Sequence, residues 1–290
     1  MISSNYPIAT IEEYGYKDYK VLKCLWKISK IVLLIISVFL LYISVAVIAI
    51  QSFNNTASTT EFTGFTFDNY INMFNKRSLA DSIRNTFLVS ICATLIAAVI
   101  GTFVAIGISY LPAKAKAKIM FLNNIPLLNA DIVTGVSLML IFSLILPINK
   151  YIFGFWTILI AHIFFILPYI ILSVLPKMKE IDQNLMDASL DLGIKPFKSI
   201  IKVIIPAVSG GIFSGIVLAF TISFEDFVVG YFTTGNGFNT LSIWIYSSIG
   251  RKSLDPGVYA FSTMLTVVSF ILIIGYALIM KGRRHNGKKV

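Results

Sequence analysis

Three acidic residues stand within or at the end of strongly apolar segments of this 290-residue chain. Asp131 lies about twelve residues into one apolar run, and Glu225 and Asp226 follow the end of another. A charged side chain at the centre of a bilayer costs about 2.5 to 3.5 kcal/mol on insertion scales, so such residues usually face an internal cavity or a partner. No lysine or arginine stands inside these apolar runs. Three acids without a basic neighbour would form a pathway that attracts cations.

The same acids also have structural explanations. Glu225 and Asp226 could pair with Arg251 or Lys252 in the loop that follows, or cap a helix. Asp131 could bond to a neighbouring helix, as polar groups inside membranes often do. Both explanations stay open at the level of the sequence.

Other residue types that could carry chemistry do not form a catalytic or metal-binding pattern. The sequence has no GxxxxGK[ST] phosphate loop, so ATP and Mg²⁺ would have to bind to another protein. His162 lies in an apolar run and His285 in a basic tail, and we expect a structural or solvated role for each. Cys24 and Cys92 are far apart and form no CxxC motif. We expect no catalytic residue, no metal site and no bound cofactor.

The composition indicates an integral membrane protein. Hydrophobic residues make up 57% of the chain and charged residues 13%, and the mean hydropathy is +0.82, which is too apolar for an ordinary soluble domain. The net charge of +10 could suggest a nucleic-acid partner. The basic residues are dispersed between apolar runs, however, and therefore indicate membrane topology instead.

Six apolar runs are predicted to cross the membrane as helices, which makes the fold class all-α. They cover residues 31–50, 86–111, 119–146, 154–175, 204–224 and 258–280. The first run is about 30 Å long as a helix, which is enough to cross the hydrocarbon core. A cleaved signal peptide is the alternative for this run, but the run is too long for one. The third run is interrupted by Pro126 and by the residues around Asp131.

The domain organisation follows from these runs and from the basic residues around them. We predict a cytoplasmic tail at 1–30, a membrane domain at 31–280 and a basic cytoplasmic tail at 281–290. Of the 24 lysines and arginines, 18 lie on the side of the two termini and 6 on the opposite side. The positive-inside rule therefore places both termini and the loop at 176–206 in the cytoplasm.

The polar stretch at 180–206 has the local signals of a helix, a sharp turn and a second helix. Asp182 suits an N-cap, and residues 183–192 read as a short helix. Gly193 can take the left-handed position after this helix, and Pro196 suits the first turn of the next one. Such a helix could insert into a groove of a partner, or it could be an ordinary solvated loop helix. The pattern favours neither.

The stretch also carries residues of a known motif at matching positions. In order, these are Asp187, Ala188, Ser189, Gly193, Val203, Ile205 and Pro206. They resemble the pattern Glu-Ala-Ala, three residues, Gly, nine residues, Ile, one residue, Leu, Pro, which marks the cytoplasmic coupling loop of bacterial ABC importer permeases. The chain has Asp for the Glu and Ser for the second Ala. The resemblance implies a type I importer permease fold of six transmembrane helices, with a coupling helix between spans four and five that contacts an ATPase.

A narrower resemblance covers most of spans two to six. The segments at 220–235, 239–244, 253–256 and 260–265 are similar to the second permease subunit of spermidine/putrescine ABC importers. That family usually has Asp where this chain has Glu225. The resemblance implies a permease that moves polyamines.

The two resemblances also imply a set of partners. These are a homologous permease subunit, two cytoplasmic ATP-binding subunits and an extracellular polyamine-binding protein. The complex would lie in the inner membrane of a bacterium, and this chain would not itself be an enzyme. In this reading Glu225 and Asp226 would receive the ammonium groups of the polyamine, and Asp131 would lie on the same pathway.

Other functions remain as alternatives. Related permeases carry ferric iron, thiamine or phosphonates, although an anionic substrate would fit poorly with Glu225 and Asp226. A secondary transporter would show an internal inverted repeat, which the sequence does not. A membrane scaffold would not need three intramembrane acids.

Overall fold

The computed structural model describes residues 11–56, 61–145, 153–182, 184–235, 237–249 and 255–286, and these are mostly helical. In chain order the helices are α1 (Ile11–Gln51), α2 (Asp68–Asn72), α3 (Arg77–Ser109), α4 (Ala113–Leu128), α5 (Asp131–Ser143), α6 (Phe155–Glu180), α7 (Asn184–Asp191), α8 (Pro196–Ser199), a π-helical turn (Ile200–Ile204), α9 (Ile205–Ala207), α10 (Ser209–Glu225), α11 (Val228–Thr233), α12 (Leu241–Ile249) and α13 (Pro256–Asn286).

The chain divides into two compact units. One unit combines the chain up to Met73 with the chain from Asp255 onward, and the other is Phe74–Leu254. In the first unit α1 packs against α13, where the rings of Tyr42 and Phe270 lie 6.2 Å apart, and α2 also contacts α13. Helix α1 begins at Ile11, so part of the predicted N-terminal tail is helical.

The loop after α1 is held by Asn54, which is fully buried. Its side-chain amide donates to the Glu61 carbonyl over 2.7 Å, and its side-chain oxygen accepts from the Thr63 amide over 3.0 Å. Phe53 and Phe65 stack beside it with ring centroids 4.9 Å apart. The described residues of this loop, 52–56 and 61–67, therefore have a defined structure although most of them are exposed.

The core of the second unit is built on α6, which packs against both α3 and α10. Small residues permit the close approach of these helices, as is usual within membranes. A β-carbon on Gly101 of α3 would lie 2.7 Å from Ile170 of α6. A β-carbon on Gly211 of α10 would lie 2.8 Å from the carbonyl oxygen of Ser173, also on α6. Glycine at position 211 therefore permits α10 to lie close to α6.

Three helical segments in the described residues are long and apolar enough to cross a membrane by themselves. They are Leu25–Gln51, Arg77–Ser109 and Phe155–Glu180. Two bent pairs also qualify if each pair counts as one span, which gives up to five. The last predicted run corresponds to a shorter apolar helix, Pro256–Ile271. The structure thus supports an all-helical membrane protein, and the number of six spans remains a prediction.

Both bends lie near residues that interrupt helices. Helices α4 and α5 meet at 103°, with Asn129 and Ala130 between them in extended conformation. Pro126 itself lies inside α4, so the predicted interruption falls at 129–130. The segment Pro196–Ala207 meets α10 at 73°, and Val208 leaves the helical conformation at that bend. The predicted run at 204–224 therefore contains this bend, and α10 begins within it at Ser209.

The short helix α11 begins after a further break in the chain, at Asp226 and Phe227, where α10 ends. It contacts α5 and α6. Gly135 lies where α5 meets α11, because a β-carbon there would be 3.1 Å from Phe232 and 3.3 Å from the Val228 carbonyl oxygen. The end of α10 is therefore fixed to its neighbours through α11.

Candidate functional site

The stretch after α6 has the local structure that the sequence predicts. The Asp182 carboxylate accepts a hydrogen bond from the Asn184 amide over 2.9 Å, at the start of α7. Gly193 has φ of +77°, which is the left-handed conformation. Pro196 is the first residue of α8. The helix, turn and second helix are confirmed, while Gln183 lies outside the described residues.

Ser189 attaches α7 to α8. Its hydroxyl forms a short hydrogen bond with the hydroxyl of Ser199, and both serines are buried. The Ser189 hydroxyl also donates to the Met186 carbonyl over 2.7 Å. This position has alanine in the motif, and the hydroxyl here has a specific partner. The two short helices are therefore one folded unit.

The free face of this unit is defined by its exposed side chains, which are apolar and acidic. Leu192 is 82% exposed and Phe197 is 64% exposed. Asp187, Ala188 and Asp191 are also exposed. Exposed large apolar side chains beside charged ones are typical of a surface that contacts another protein. Of the motif residues, Asp187 and Ala188 thus lie on the free face, and Ser189 faces inward.

A cavity of about 440 Å³ lies beside α7 and brings together residues of α3, α4 and α6. Its lining contains both signs of charge, from Lys116, Lys179, Asp182 and Asp187. Burial raises the pKa of Tyr110, and the Asp187 carboxylate raises it further. Asp187 is therefore close to the end of α3 as well as to the surface. Pro206 lies farther along, in α9, just before the bend into α10.

Glu225 is the last residue of α10 and is exposed. Ser214 and Thr221 are exposed on the same face, because steps of seven and four residues return to one side of a helix. The hydroxyls of both donate to carbonyl oxygens of their own helix over 2.9 Å. Helix α10 therefore presents two hydroxyls and a terminal carboxylate as a polar strip, with the exposed apolar side chains of Val217 and Leu218 between them.

Asp226 has a different environment from its neighbour. Its side chain is 4% exposed and lies 3.4 Å from Nε2 of His162. One carboxylate oxygen accepts from the Gly230 amide over 2.7 Å, and the other accepts from the Val229 amide over 3.2 Å. Asp226 caps α11, which is one of the two structural explanations that the sequence offers. Arg251 and Lys252, the other explanation, lie outside the described residues.

His162 joins this arrangement from α6. Its ring is 2% exposed, and Nδ1 lies 2.8 Å from the Ser223 hydroxyl. The sequence predicts a structural or solvated role for His162 and does not identify its partners. The available signal was a polar ring inside an apolar run, which needs polar partners on a neighbouring helix.

Asp131 is the first residue of α5 and is exposed. The structure therefore places Asp131 and Glu225 on different helices, both exposed and both outside the Asp226–His162 pair.

Comparisons with known proteins give a consistent set of similarities. Residues 118–285 match the family described as binding-protein-dependent transport system inner membrane component.

Individual relatives extend the match beyond these residues. The spermidine/putrescine transport system permease protein PotC of Shigella flexneri is 30% identical over 222 residues, which cover 76% of this chain and 82% of that protein. PotC of Escherichia coli strain K12 is 30% identical over 214 residues, covering 74% and 79%. The putrescine transport system permease protein PotI of the same strain is 27% identical over 213 residues, covering 71% and 74%.

Two solved structures share the fold. A bacterial ABC transporter involved in the import of the acidic polysaccharide alginate aligns with a TM-score of 0.62 and 15% identity, covering 92% of this chain and 99% of that one. The alginate transporter in complex with a periplasmic protein bound to alginate pentasaccharide aligns with a TM-score of 0.63 and 16% identity, covering 91% and 97%. At this identity the likeness concerns the fold.

Proposed function

The chain belongs to the family of binding-protein-dependent transport system inner membrane components, and we propose that it is a permease subunit of an ATP-driven ABC importer that carries polyamines into a bacterial cell. The observation that carries this proposal is the 30% identity to spermidine/putrescine permeases over three quarters of the chain. The charge at the end of α10 agrees with it, since polyamines are polycations and Glu225 is an exposed carboxylate.

The polar strip of α10 lines the part of the translocation path that this chain contributes. Ser214, Thr221 and Glu225 lie along that strip, and in an apolar environment they offer polar contacts to a passing cation. The pair of Glu225 and Asp226 marks the outer end of this strip, and Asp131 supplies a second acidic position. A homologous permease subunit would complete the path, and an extracellular polyamine-binding protein would deliver the cargo.

The unit formed by α7 and α8 is the coupling element. Asp187, Ala188 and Leu192 are exposed on its free face and would dock into a groove on a cytoplasmic ATPase, as a helix with apolar anchors does. Ser189 and Gly193 hold the helix and its turn in place. Two ATP-binding subunits would supply ATP, Mg²⁺ and the hydrolysis, and the chain itself acts as a transport component.

The topology that fits this function has six spans and both termini in the cytoplasm. The two bent pairs would each count as one span, and α13 would be the sixth. The excess of lysine and arginine near α7 and near both termini supports this orientation. The location would be the bacterial inner membrane.

The experiment that tests the proposal is uptake of labelled spermidine and putrescine by proteoliposomes that contain this chain, its partner permease and its ATPase. We expect ATP-dependent uptake that Gly193→Asp abolishes while the complex still assembles. Uptake without ATP would assign the chain to secondary transporters. ATP hydrolysis without polyamine movement would retain an ABC permease and reject the polyamine as its cargo.

A further inference from the structure

The buried group of Ser223, His162 and Asp226 at the end of α10 has a role that differs from that of the adjacent Glu225. We propose that His162, Ser223 and Asp226 are positioning residues, and that Glu225 alone of the acid pair contacts the ammonium groups of the cargo. The inference rests on the proposed function for the identity of the cargo, and on geometry for the division between the two acids.

The Asp226 carboxylate already has polar partners within the protein. It accepts hydrogen bonds from the amides of Val229 and Gly230 and lies at ion-pair distance from His162. Its side chain is only 4% exposed. A cargo ammonium group could reach this carboxylate only by displacing the cap of α11 and opening the contact with α6. Breaking buried hydrogen bonds to a charged group is costly, because each is worth more than a neutral one.

The contact with His162 fixes the rotation of the last turn of α10. Nδ1 of His162 is hydrogen-bonded to Ser223 over 2.8 Å, while Nε2 lies 3.4 Å from the Asp226 carboxylate without forming a hydrogen bond, so one side chain of α6 fixes Ser223 and lies against Asp226. Glu225 follows Ser223 by two residues and therefore points about 200° away around the helix axis. With Ser223 fixed toward α6, Glu225 must face away from α6, where the structure shows it exposed.

The start of α11 is tightly packed around Gly230. A β-carbon on Gly230 would lie 3.2 Å from the Asp226 carboxylate oxygen and 3.7 Å from Nε2 of His162. It would also lie 3.4 Å from Ile158 of α6. There is thus little space into which the Asp226 carboxylate could move. The carboxylate and the His162 ring lie within the contact between α6 and α11.

The kinetic test uses ATP-dependent uptake by the assembled complex and compares isosteric with truncating variants. Glu225→Gln removes a charge from the path, and we expect the KM for spermidine to rise about ten-fold, the cost of one hydrogen bond to a charged group. Asp226→Asn can keep an oxygen for the Gly230 amide and His162, which share one carboxylate oxygen, and then loses only the longer hydrogen bond from the Val229 amide. We expect it to raise KM less than about three-fold, whereas Asp226→Ala should raise it as much as Glu225→Gln.

A double variant separates positioning from general loss of structure. If His162 acts through Glu225, His162→Asn should raise KM in the wild-type background and have no further effect on KM in the Glu225→Gln background. A purely structural loss would lower the maximal rate and the amount of complex equally in both backgrounds. Equal KM increases for Asp226→Asn and Glu225→Gln would overturn the proposal.

A chemical readout tests the geometry without transport. In a variant lacking Cys24 and Cys92, a small cationic thiol reagent should label Glu225→Cys in the assembled complex and leave Asp226→Cys unlabelled. Adding His162→Asn should change the labelling rate of Glu225→Cys. This pattern in a complex that moves no polyamine would keep the positioning role and reject the cargo, while equal labelling at both positions would reject the positioning role.

Discussion

Gly193 is the residue on which the turn after α7 depends. Its φ is +77°, yet no atom lies within 4 Å of the place where a β-carbon would be. The requirement for glycine is therefore conformational, and other residues pay about 1 to 2 kcal/mol in this region of backbone space. We expect Gly193→Ala to destabilise the assembled complex by about 1 kcal/mol and to lower its thermal unfolding temperature.

Gly193→Asn is the matched control, because asparagine tolerates the left-handed conformation better than alanine does. We expect its unfolding temperature to lie between those of the wild type and Gly193→Ala. Equal stability of the alanine and asparagine variants would mean that the backbone conformation is not the cause.

The hydrogen bond between Ser189 and Ser199 allows a second prediction at this scale. Ser189→Ala removes one partner and leaves a buried hydroxyl, which should cost about 1 to 3 kcal/mol. The Ser199 hydroxyl keeps a contact with the Met186 sulfur at 3.2 Å, so the cost should be near the lower limit. Unfolding of Ser189→Ala, Ser199→Ala and the double variant should show that the second substitution adds little. Additive effects would argue against the pair.

Among the elements, α10 offers a comparison between two adjacent glycines. A β-carbon on Gly211 would lie 2.8 Å from both the Ser173 carbonyl oxygen and the Lys177 side chain, whereas one on Gly210 would meet nothing within 4 Å. We expect Gly211→Ala to separate α10 from α6 and lower the unfolding temperature. Gly210→Ala should be neutral or stabilise by up to about 1 kcal/mol, because alanine favours a helix more than glycine does.

Thermal unfolding of the purified complex measures both glycine variants under the same conditions. The two sites differ by one position in the same turn, so effects on expression or helix propensity are shared. If both variants lose stability equally, the close approach of α6 and α10 is not what requires glycine.

The elements that the sequence predicts well are those with local signals. The cap at Asp182, the left-handed Gly193 and the start of α8 at Pro196 depend on residues next to each other in the chain, and all three are confirmed. The break before α11 depends instead on a carboxylate that meets a ring of α6 at His162. The spacing of residues in the sequence does not indicate that contact, so the sequence does not predict α11.

The residues of the candidate site also differ in how far the sequence predicts their environment. Acids in apolar runs predict a polar path whatever the packing. Glu225 and Asp131 are exposed, and their place on such a path stays a prediction. Whether Asp226 joins them depends on which side of α10 faces α6. That is a property of helix packing, and two adjacent acids look alike in the sequence.

At the scale of the whole molecule, the distribution of basic residues predicts the orientation in the membrane. In a variant lacking Cys24 and Cys92, a thiol reagent that cannot cross membranes should label Glu61→Cys from the outside of cells. It should label Asp191→Cys only in inverted vesicles. Both positions are exposed, so accessibility within the protein does not limit the reaction. The reverse pattern would contradict the positive-inside assignment.

The packing of α1 against α13 has a consequence for biosynthesis. These two helices stand near opposite ends of the chain, with the whole second unit encoded between them. At about 5 to 20 residues per second, the ribosome needs roughly 10 to 40 s to make the intervening sequence. Throughout that interval the nascent α1 sits in the bilayer without its intramolecular neighbour, available to lipids, insertases or a co-translated subunit. Assembly of the first unit must therefore be a late event in the life of the chain.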